Sequence, residues 1–343
     1  VKRRIGIWTW TDAALLGASA AAAISLVWII YERLTPGAGG VGFWFCAFVA
    51  FLLTYWLIVR ETEGSFAATD RMMTVGLLGV TLLVVATLGL ILGDIAIKGG
   101  RTLRPGFFSS TMRSTGPLSK ATDGGAFHSI IGTLEQVGLA MLLSVPLAIL
   151  TAVYLNEIGG HMARVVRMVV DAMSGIPGIV AGLFIYAVWV LRFGFSGLAA
   201  SFALAILMLP TITRTAEEVL RLVPGGLREA ALGLGAPRWR TTWRVVLPTA
   251  RSGIITAVLL GVARAIGDTA ALIATTAGLD SLNGNPLHGQ QDSLPLFVFK
   301  QVKVGLLQSQ TQRAETGALV LVGMVLVLFV AARIIGRPKV ARG

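Results

Sequence analysis

The sequence predicts an all-α protein, a polytopic bundle of membrane-spanning helices. Three observations lead there. Of 343 residues, 55% are hydrophobic and only 13% are charged, giving a mean hydropathy of +0.78. Several apolar runs reach 18 residues or more, long enough to cross the hydrocarbon core as helix. The alternating segments of ~10 residues that build a membrane β-barrel are absent. Forty-one glycines fit the same picture, because small residues let helix backbones approach closely in lipid.

Eight spans are predicted in order. Ala13–Tyr31 and Phe43–Val59 are rich in alanine and aromatic residues and make a short amino-terminal hairpin, residues 1–65. Before it, Lys2-Arg3-Arg4 resembles the start of a signal peptide. The run to Ile30 has no small-residue cleavage site, and a second span follows closely, so a retained helix is expected. Met72–Ile97, Ile130–Tyr154, Met173–Leu191, Leu198–Leu220, Gly253–Ala277 and Thr316–Ile335 complete the set within a second unit, residues 66–343. Leu209-Pro210 interrupts the sixth span and is expected to bend it. No internal repeat accompanies these spans.

Charge sets the orientation. An even number of spans puts both termini on one side, and the loops and tails of that side hold 17 Lys and Arg against 10 on the other. Cytoplasmic loops carry the excess, so both termini are expected in the cytoplasm. The external Lys98–His128 loop is basic too, and reads either as a solvated linker or as a surface that attracts an anion or acidic partner. The net charge of +12 lies in loops between spans, which favours orientation and headgroup contact over nucleic acid. Cys46, the single cysteine, stands in an apolar run, so the chain can form neither an internal disulfide nor a thiolate metal cluster.

The most specific motif lies in the cytoplasmic loop 221–252. Glu229-Ala230-Ala231, Gly235 and Val245-Val246-Leu247-Pro248 follow the spacing E-A-A-x3-G-x9-[IV]-x-L-P. Pro224-Gly225-Gly226 ends the preceding helix, and Leu227–Leu234 can form a short one closed by Gly235 in the left-handed conformation. A second short helix, Arg238–Leu247, is expected to align Trp239, Trp243 and Val246 on one face. Two short helices joined at a glycine make a knob suited to a groove on a partner. An amphipathic loop lying on the membrane, with its tryptophans as interfacial anchors, is the plainer alternative. No phosphate loop Gly-x4-Gly-Lys-[Ser/Thr] occurs, so nucleotide hydrolysis is assigned elsewhere.

Ionisable groups inside spans are costly and mark cavities or partners. Arg264 lies 13 residues beyond Arg251, about 20 Å along a helix. Asp268 follows at i+4, which places both on one helical face. They read either as a self-neutralising pair or as path residues. Arg214 sits in the sixth span, near enough to Arg221 to snorkel to the headgroups. The functional alternative puts both arginines on one path, since a guanidinium fork suits tetrahedral oxyanions. Thr211, Thr213, Thr215 and Thr269 would add neutral donors, and Asp268 could hold Arg264 or accept a proton from a protonated oxyanion.

From Gly124 to Gly336 the chain resembles the A-type permease subunits of phosphate-specific ABC importers, the PstA family. Gly124-Gly125, Ile131-Gly132-Thr133-Leu134 and Tyr154-Leu155-Asn156-Glu157 carry the likeness. It continues in Ser174-Gly175-Ile176-Pro177-Gly178-Ile179-Val180, Arg214-Thr215-Ala216-Glu217-Glu218, the loop motif, and Ala263-Arg264-Ala265-Ile266-Gly267-Asp268-Thr269-Ala270. The resemblance implies a type I importer core of six helices, here with two extra spans. It implies a paired C-type permease, a dimer of ATP-binding subunits holding ATP and Mg, and an extracytoplasmic phosphate-binding protein. It also implies that Arg214 and Arg264 lie on the phosphate path. The chain itself would need no cofactor or metal and would catalyse nothing. Asp268 stands where the family has glutamate and Ala271 where it has proline, which puts direct substrate contact by Asp268 and the local kink in question.

Rival readings are a permease for molybdate or sulfate, the C-type subunit, or an ion-coupled secondary transporter. The last would show inverted repeats. An intramembrane enzyme is disfavoured, because His128, His161 and His288 lie far apart and no nucleophile–base set is present.

Overall fold

A computed structural model describes residues 10–31, 40–116, 118–304 and 307–336. The basic segments Lys2-Arg3-Arg4 and Arg337-Pro338-Lys339 lie outside them. The chain divides into two compact units, 1–92 and 93–343, the division falling within one long helix, α3 (Ser65–Thr102).

In the first unit α1 (Trp10–Ile29) packs against α2 (Gly40–Glu63), and the first half of α3 joins them. Tyr55, Val59 and Ala68 form the buried contact, with Leu15, Leu16 and Val75 around it. Arg71 closes this bundle at one end, donating to Asp12 at 2.6 Å and pairing with Glu63 at 2.9 Å. An arginine with two carboxylates satisfies its fork where water is scarce.

The second unit begins with the end of α3, then the turn Pro105–Phe108 and α4 (Phe127–Val153), which continues as a wide turn to Ile158. Next come α5 (His161–Ser174) and α6 (Gly178–Ile185), whose wide turn Tyr186–Val190 leads into the short α7 (Leu191–Phe193). The long α8 (Gly197–Arg221) is followed by the loop helices α9 (Gly225–Gly233), α10 (Arg238–Thr241) and α11 (Leu247–Thr249). The unit ends with α12 (Arg251–Ile266), α13 (Ala270–Thr276), α14 (Leu294–Val304) and α15 (Gln308–Gly336).

Among the described residues, the eight expected spans become six helices long and apolar enough to cross a membrane, plus two bent pairs. One pair is α5 with α6–α7, bent by 102°, and the other joins α10–α11 to α12 at 73°. The span expected over Met173–Leu191 therefore starts later, after Gly175-Ile176-Pro177. A proline cannot continue the hydrogen-bond ladder of α5 and is free to start α6. The span expected over Gly253–Ala277 is interrupted at Gly267-Asp268-Thr269. By contrast Pro210 does not end α8, which runs through it.

α8 is the central post of this unit: 61% of its span window is buried, against 6% for α15. Small and branched residues on successive faces let four neighbours close on it. Leu204, Met208 and Ile212 pack on Val137 and Ala140 of α4 and on Val262 and Ala265 of α12. Ala199, Ala203 and Leu207 pack on Ala181 and Ile185 of α6 and Ala271 of α13.

α14 lies within a stretch expected to be an external connection. Its apolar face, Leu294 and Phe297, is covered by Phe107, Met112 and Ala126. Ahead of α14 the chain is pinned by buried polar bonds. Ser129 donates to Asp292 at 2.7 Å, the Leu294 amide to Thr133 at 2.8 Å, and Gln136 to Gln291 at 3.2 Å. Lys300 lies 3.2 Å from buried Asp292 and 3.0 Å from exposed Asp280. Burial pushes its ammonium down, but the two carboxylates outweigh that and hold it above its ordinary value. The basic external loop is also partly committed: Arg104 donates to the Gly124 carbonyl, and Arg313 of α15 to those of Ser119 and Lys120.

Removing Asp292 should cost far more than removing Asp280, although both meet Lys300. Asp292→Ala strands Ser129 and the buried side of the lysine and is expected to cost about 3 kcal/mol. Asp280→Ala removes an exposed pair and should cost under about 1 kcal/mol. Thermal unfolding of the purified variants in detergent measures the difference.

Candidate functional site

The residues singled out from the sequence fall at two places in the second unit, a break in the α12–α13 span and the knob between α8 and α12. At the break, α12 ends at Ile266 and α13 starts at Ala270. The carboxylate of Asp268 accepts from the Ala271 amide at 2.9 Å and satisfies one of the amides left open at the start of α13. The same carboxylate lies against Gly178, the first residue of α6, so closely that a β-carbon there would collide with it. Two interrupted spans thus meet at one acidic side chain.

This corrects the expected pairing of Arg264 with Asp268. The helix ends between them, so the i+4 relation does not put them on one face, and among the described residues no ion pair joins them. Arg264 instead donates to the Thr211 hydroxyl of α8 at 3.2 Å and is otherwise exposed. Thr211 can in turn donate to the Leu207 carbonyl at 3.3 Å. Arg214, one turn further along α8, pairs with Asp171 of α5, a partner the sequence did not single out. Thr213 is buried against α4 and donates to Ala148, and Thr215 donates back to Thr211's carbonyl; among the described residues neither hydroxyl bonds Arg264. Thr269 is half-buried at the break.

The knob follows the expected outline. Gly235 takes φ +81°, and the helix end is closed by the Gly235 amide on Leu232 and the Ala236 amide on Ala231. Glu229 and Ala230 are exposed, as are Gly235 and Pro248, while Ala231 and Leu247 are half-buried. The expected alignment of Trp239, Trp243 and Val246 is not formed. A wide turn over Thr242–Val246 adds a residue to the helical repeat and rotates Val246 inward, onto Ala152, Leu220 and Ile254. Trp239 and Trp243 stay exposed with Leu234, a hydrophobic surface that the described residues do not cover.

Arg228 fastens the knob to the bundle. Its guanidinium holds Glu157, at the end of α4, with Nη2 2.8 Å from the carboxylate, and also donates to the carbonyls of Val223 and Leu220. Beside it buried Glu217 accepts from Arg167 of α5 at 2.7 Å and from Arg221 at 2.6 Å. Arg228 directly precedes the Glu-Ala-Ala motif and Glu157 closes Tyr154-Leu155-Asn156-Glu157, so position was the available signal. Their pairing across 71 residues was not legible.

Comparison with known proteins places this geometry. Residues 144–337 match the family of binding-protein-dependent transport system inner membrane components. The phosphate transport system permease protein PstA 1 of Mycobacterium tuberculosis is 43% identical over 58% of this chain and 66% of its own length. The chain thus spans just under two thirds of that relative. The phosphate transport system permease protein PstA of Pasteurella multocida is 36% identical over 65% of this chain and 79% of its own length. In fold, the chain is similar to a bacterial alginate ABC transporter crystallised with its alginate-bound periplasmic protein. That match has a TM-score of 0.56 and 14% identity, and covers 82% of this chain and 96% of the other.

The contact of Gly178 with Asp268 is testable as a pair. Gly178→Ala should destabilise by about 1–3 kcal/mol, because neither the carboxylate nor the start of α6 can move freely. Combined with Asp268→Ala, the added methyl should cost little, giving a double-mutant coupling visible in thermal unfolding. Additive losses would mean the two groups do not meet.

Proposed function

This chain belongs to the binding-protein-dependent transport inner membrane components and, within them, to the PstA phosphate transport permeases, and from that premise we propose that it forms half the translocation pathway of an ATP-driven phosphate importer. It pairs with a C-type permease and receives phosphate from an extracytoplasmic binding protein. ATP and Mg are bound by a separate dimer of ATP-binding subunits. The assembly sits in the bacterial inner membrane with both termini of this chain in the cytoplasm, as the excess of loop arginines supports.

The observation that carries the reading is Arg264. Its guanidinium stands at the end of an interrupted span, held by one neutral hydroxyl and by no carboxylate among the described residues. A fork that keeps its charge and most of its donors free can take two oxygens of a tetrahedral anion. Thr211 adds a hydroxyl beside it. The Asp268 oxygen not used by Ala271 would accept a hydrogen bond from the P–OH of hydrogen phosphate and repel a fully deprotonated anion such as sulfate. Arg214, paired with Asp171, lines the same α8 face one turn nearer the cytoplasm.

The knob transmits the partner's motion. Glu229, Ala230, Ala231 and Gly235 shape it, Leu247 and Pro248 return it to the membrane, and its exposed tryptophans supply apolar contact. Because Arg228 ties α9 to the end of α4, a displacement of the knob moves α4 and α8 together. Alternating access then follows from two packings of rigid blocks, each favoured by one state of the ATPase.

Three outcomes are expected. In the reconstituted assembly, ATP-dependent uptake should favour phosphate and arsenate over sulfate and molybdate. Arg264→Lys should lower phosphate uptake by about tenfold or more, because a point charge does not replace a bidentate fork. Wild-type uptake in that variant would reduce Arg264 to a packing role. Gly235→Pro cannot adopt φ +81° and should abolish copurification of the ATPase while membrane insertion persists. Unchanged copurification would remove Gly235 from docking.

A further inference from the structure

The seam between α12 and α15 opens at one end into a groove of about 480 Å³. Its chemistry is graded. Arg333 and Ser252 stand at the rim, while Ile255, Leu259, Phe329 and Val330 line the floor. Leu259 and Phe329 continue into a narrow crevice along the same seam, reaching Val262, Ile266 and Val325.

Arg333, like Arg238, Arg244 and Arg251, has no carboxylate partner among the described residues. Arg167, Arg214, Arg221 and Arg228 all hold carboxylates. Arg333 has no hydrogen-bond or ion-pair partner among the described residues, and neither has the Ser252 hydroxyl. The neighbouring Thr256 hydroxyl is already used on the Ser252 carbonyl, at 3.0 Å. A cation and a hydroxyl without partners, set above an apolar cleft, are complementary to a ligand with an anionic head and a hydrocarbon tail.

Position selects the ligand. Ser252 opens α12 directly after the cytoplasmic knob, and Arg333 lies in the last turn of α15, so the rim is at the level of the cytoplasmic headgroups. From Ser252 to Ile266 the seam runs fourteen residues, about 21 Å. That covers the hydrocarbon of one leaflet, half of a core ~30 Å thick. We propose that this seam binds an anionic phospholipid of the cytoplasmic leaflet, with its phosphodiester on Arg333 and Ser252 and one acyl chain along Leu259 and Phe329. The placement rests on the cytoplasmic side proposed for the knob but not on which anion is transported. Since α12 carries Arg264 near its far end, a lipid held here braces the helix that presents the anion-binding guanidinium.

The test uses the purified full assembly, equilibrated with a mixture of phosphatidylglycerol and phosphatidylcholine and examined by native mass spectrometry for retained lipid. Wild type should retain phosphatidylglycerol preferentially. Arg333→Gln should reduce that preference about fivefold, the weight of one cation at an anionic surface, and Arg333→Lys should restore most of it. Val330→Trp, which fills the groove without touching charge, should lower retention of both lipids. Retention and lipid preference unchanged from wild type in both Arg333→Gln and Val330→Trp would overturn the proposal. So would displacement of the lipid by inorganic phosphate, which would make the rim a free-anion site. Val330→Cys in a Cys46→Ser background, joined to another subunit by a short thiol-to-amine cross-linker, would show a partner helix in the seam instead, with the same consequence. Retention is read without transport, so failure of the phosphate reading leaves this result interpretable.

Discussion

Hydrocarbon offers the backbone no hydrogen-bond partners, so a span that breaks inside a membrane must satisfy its own loose ends. The second unit breaks two spans, at Gly175-Ile176-Pro177 and at Gly267-Asp268-Thr269, and brings the breaks together. Asp268 answers both: it accepts an amide at the start of α13 and packs on the first residue of α6. Placing a carboxylate at helix starts also meets the positive end of each helix dipole. With Asp268 occupied in this way, Arg264 is left with a hydroxyl rather than a carboxylate, and its charge remains available.

The same economy governs the two ends of the bundle. At the knob, Glu157 and Glu217 each collect arginines from different helices, so α4, α5, α8 and α9 are joined by charge-assisted bonds at a level where lipid packing gives way to water. At the opposite end, Asp292, Ser129, Thr133 and Gln136 fasten the approach to α14 onto α4. Between these polar clasps the helices meet through small residues around α8. Close packing between clasped ends makes this part of the bundle stiff.

The spans and the outline of the knob were legible because each is a local property of the chain. Apolar length marks a helix, and the E-A-A-x3-G spacing with its Gly235 cap fixes a turn that the structure reproduces. Legibility failed where a local rule was extended across an unseen break. Arg264 and Asp268 were read at i+4 on one helix, and Val246 was read at helical spacing from Trp239 and Trp243. Both readings assume an uninterrupted repeat of 3.6 residues, and the chain ends the helix in one case and widens it in the other. α14 was missed because Lys300 and Lys303 cut its apolar run short, and its burial depends on Phe107, far away in sequence.

By itself, then, the sequence determined a polytopic helical permease and the outline of the knob between α8 and α12. Tertiary structure alone decided who holds whom: Arg214 with Asp171, Arg228 with Glu157, Asp268 with the start of α6, Arg264 with Thr211. Helical periodicity and charge bias are written in neighbouring residues. An ion pair is chosen by which helices pack and where their spans break, and those depend on contacts between residues tens of positions apart.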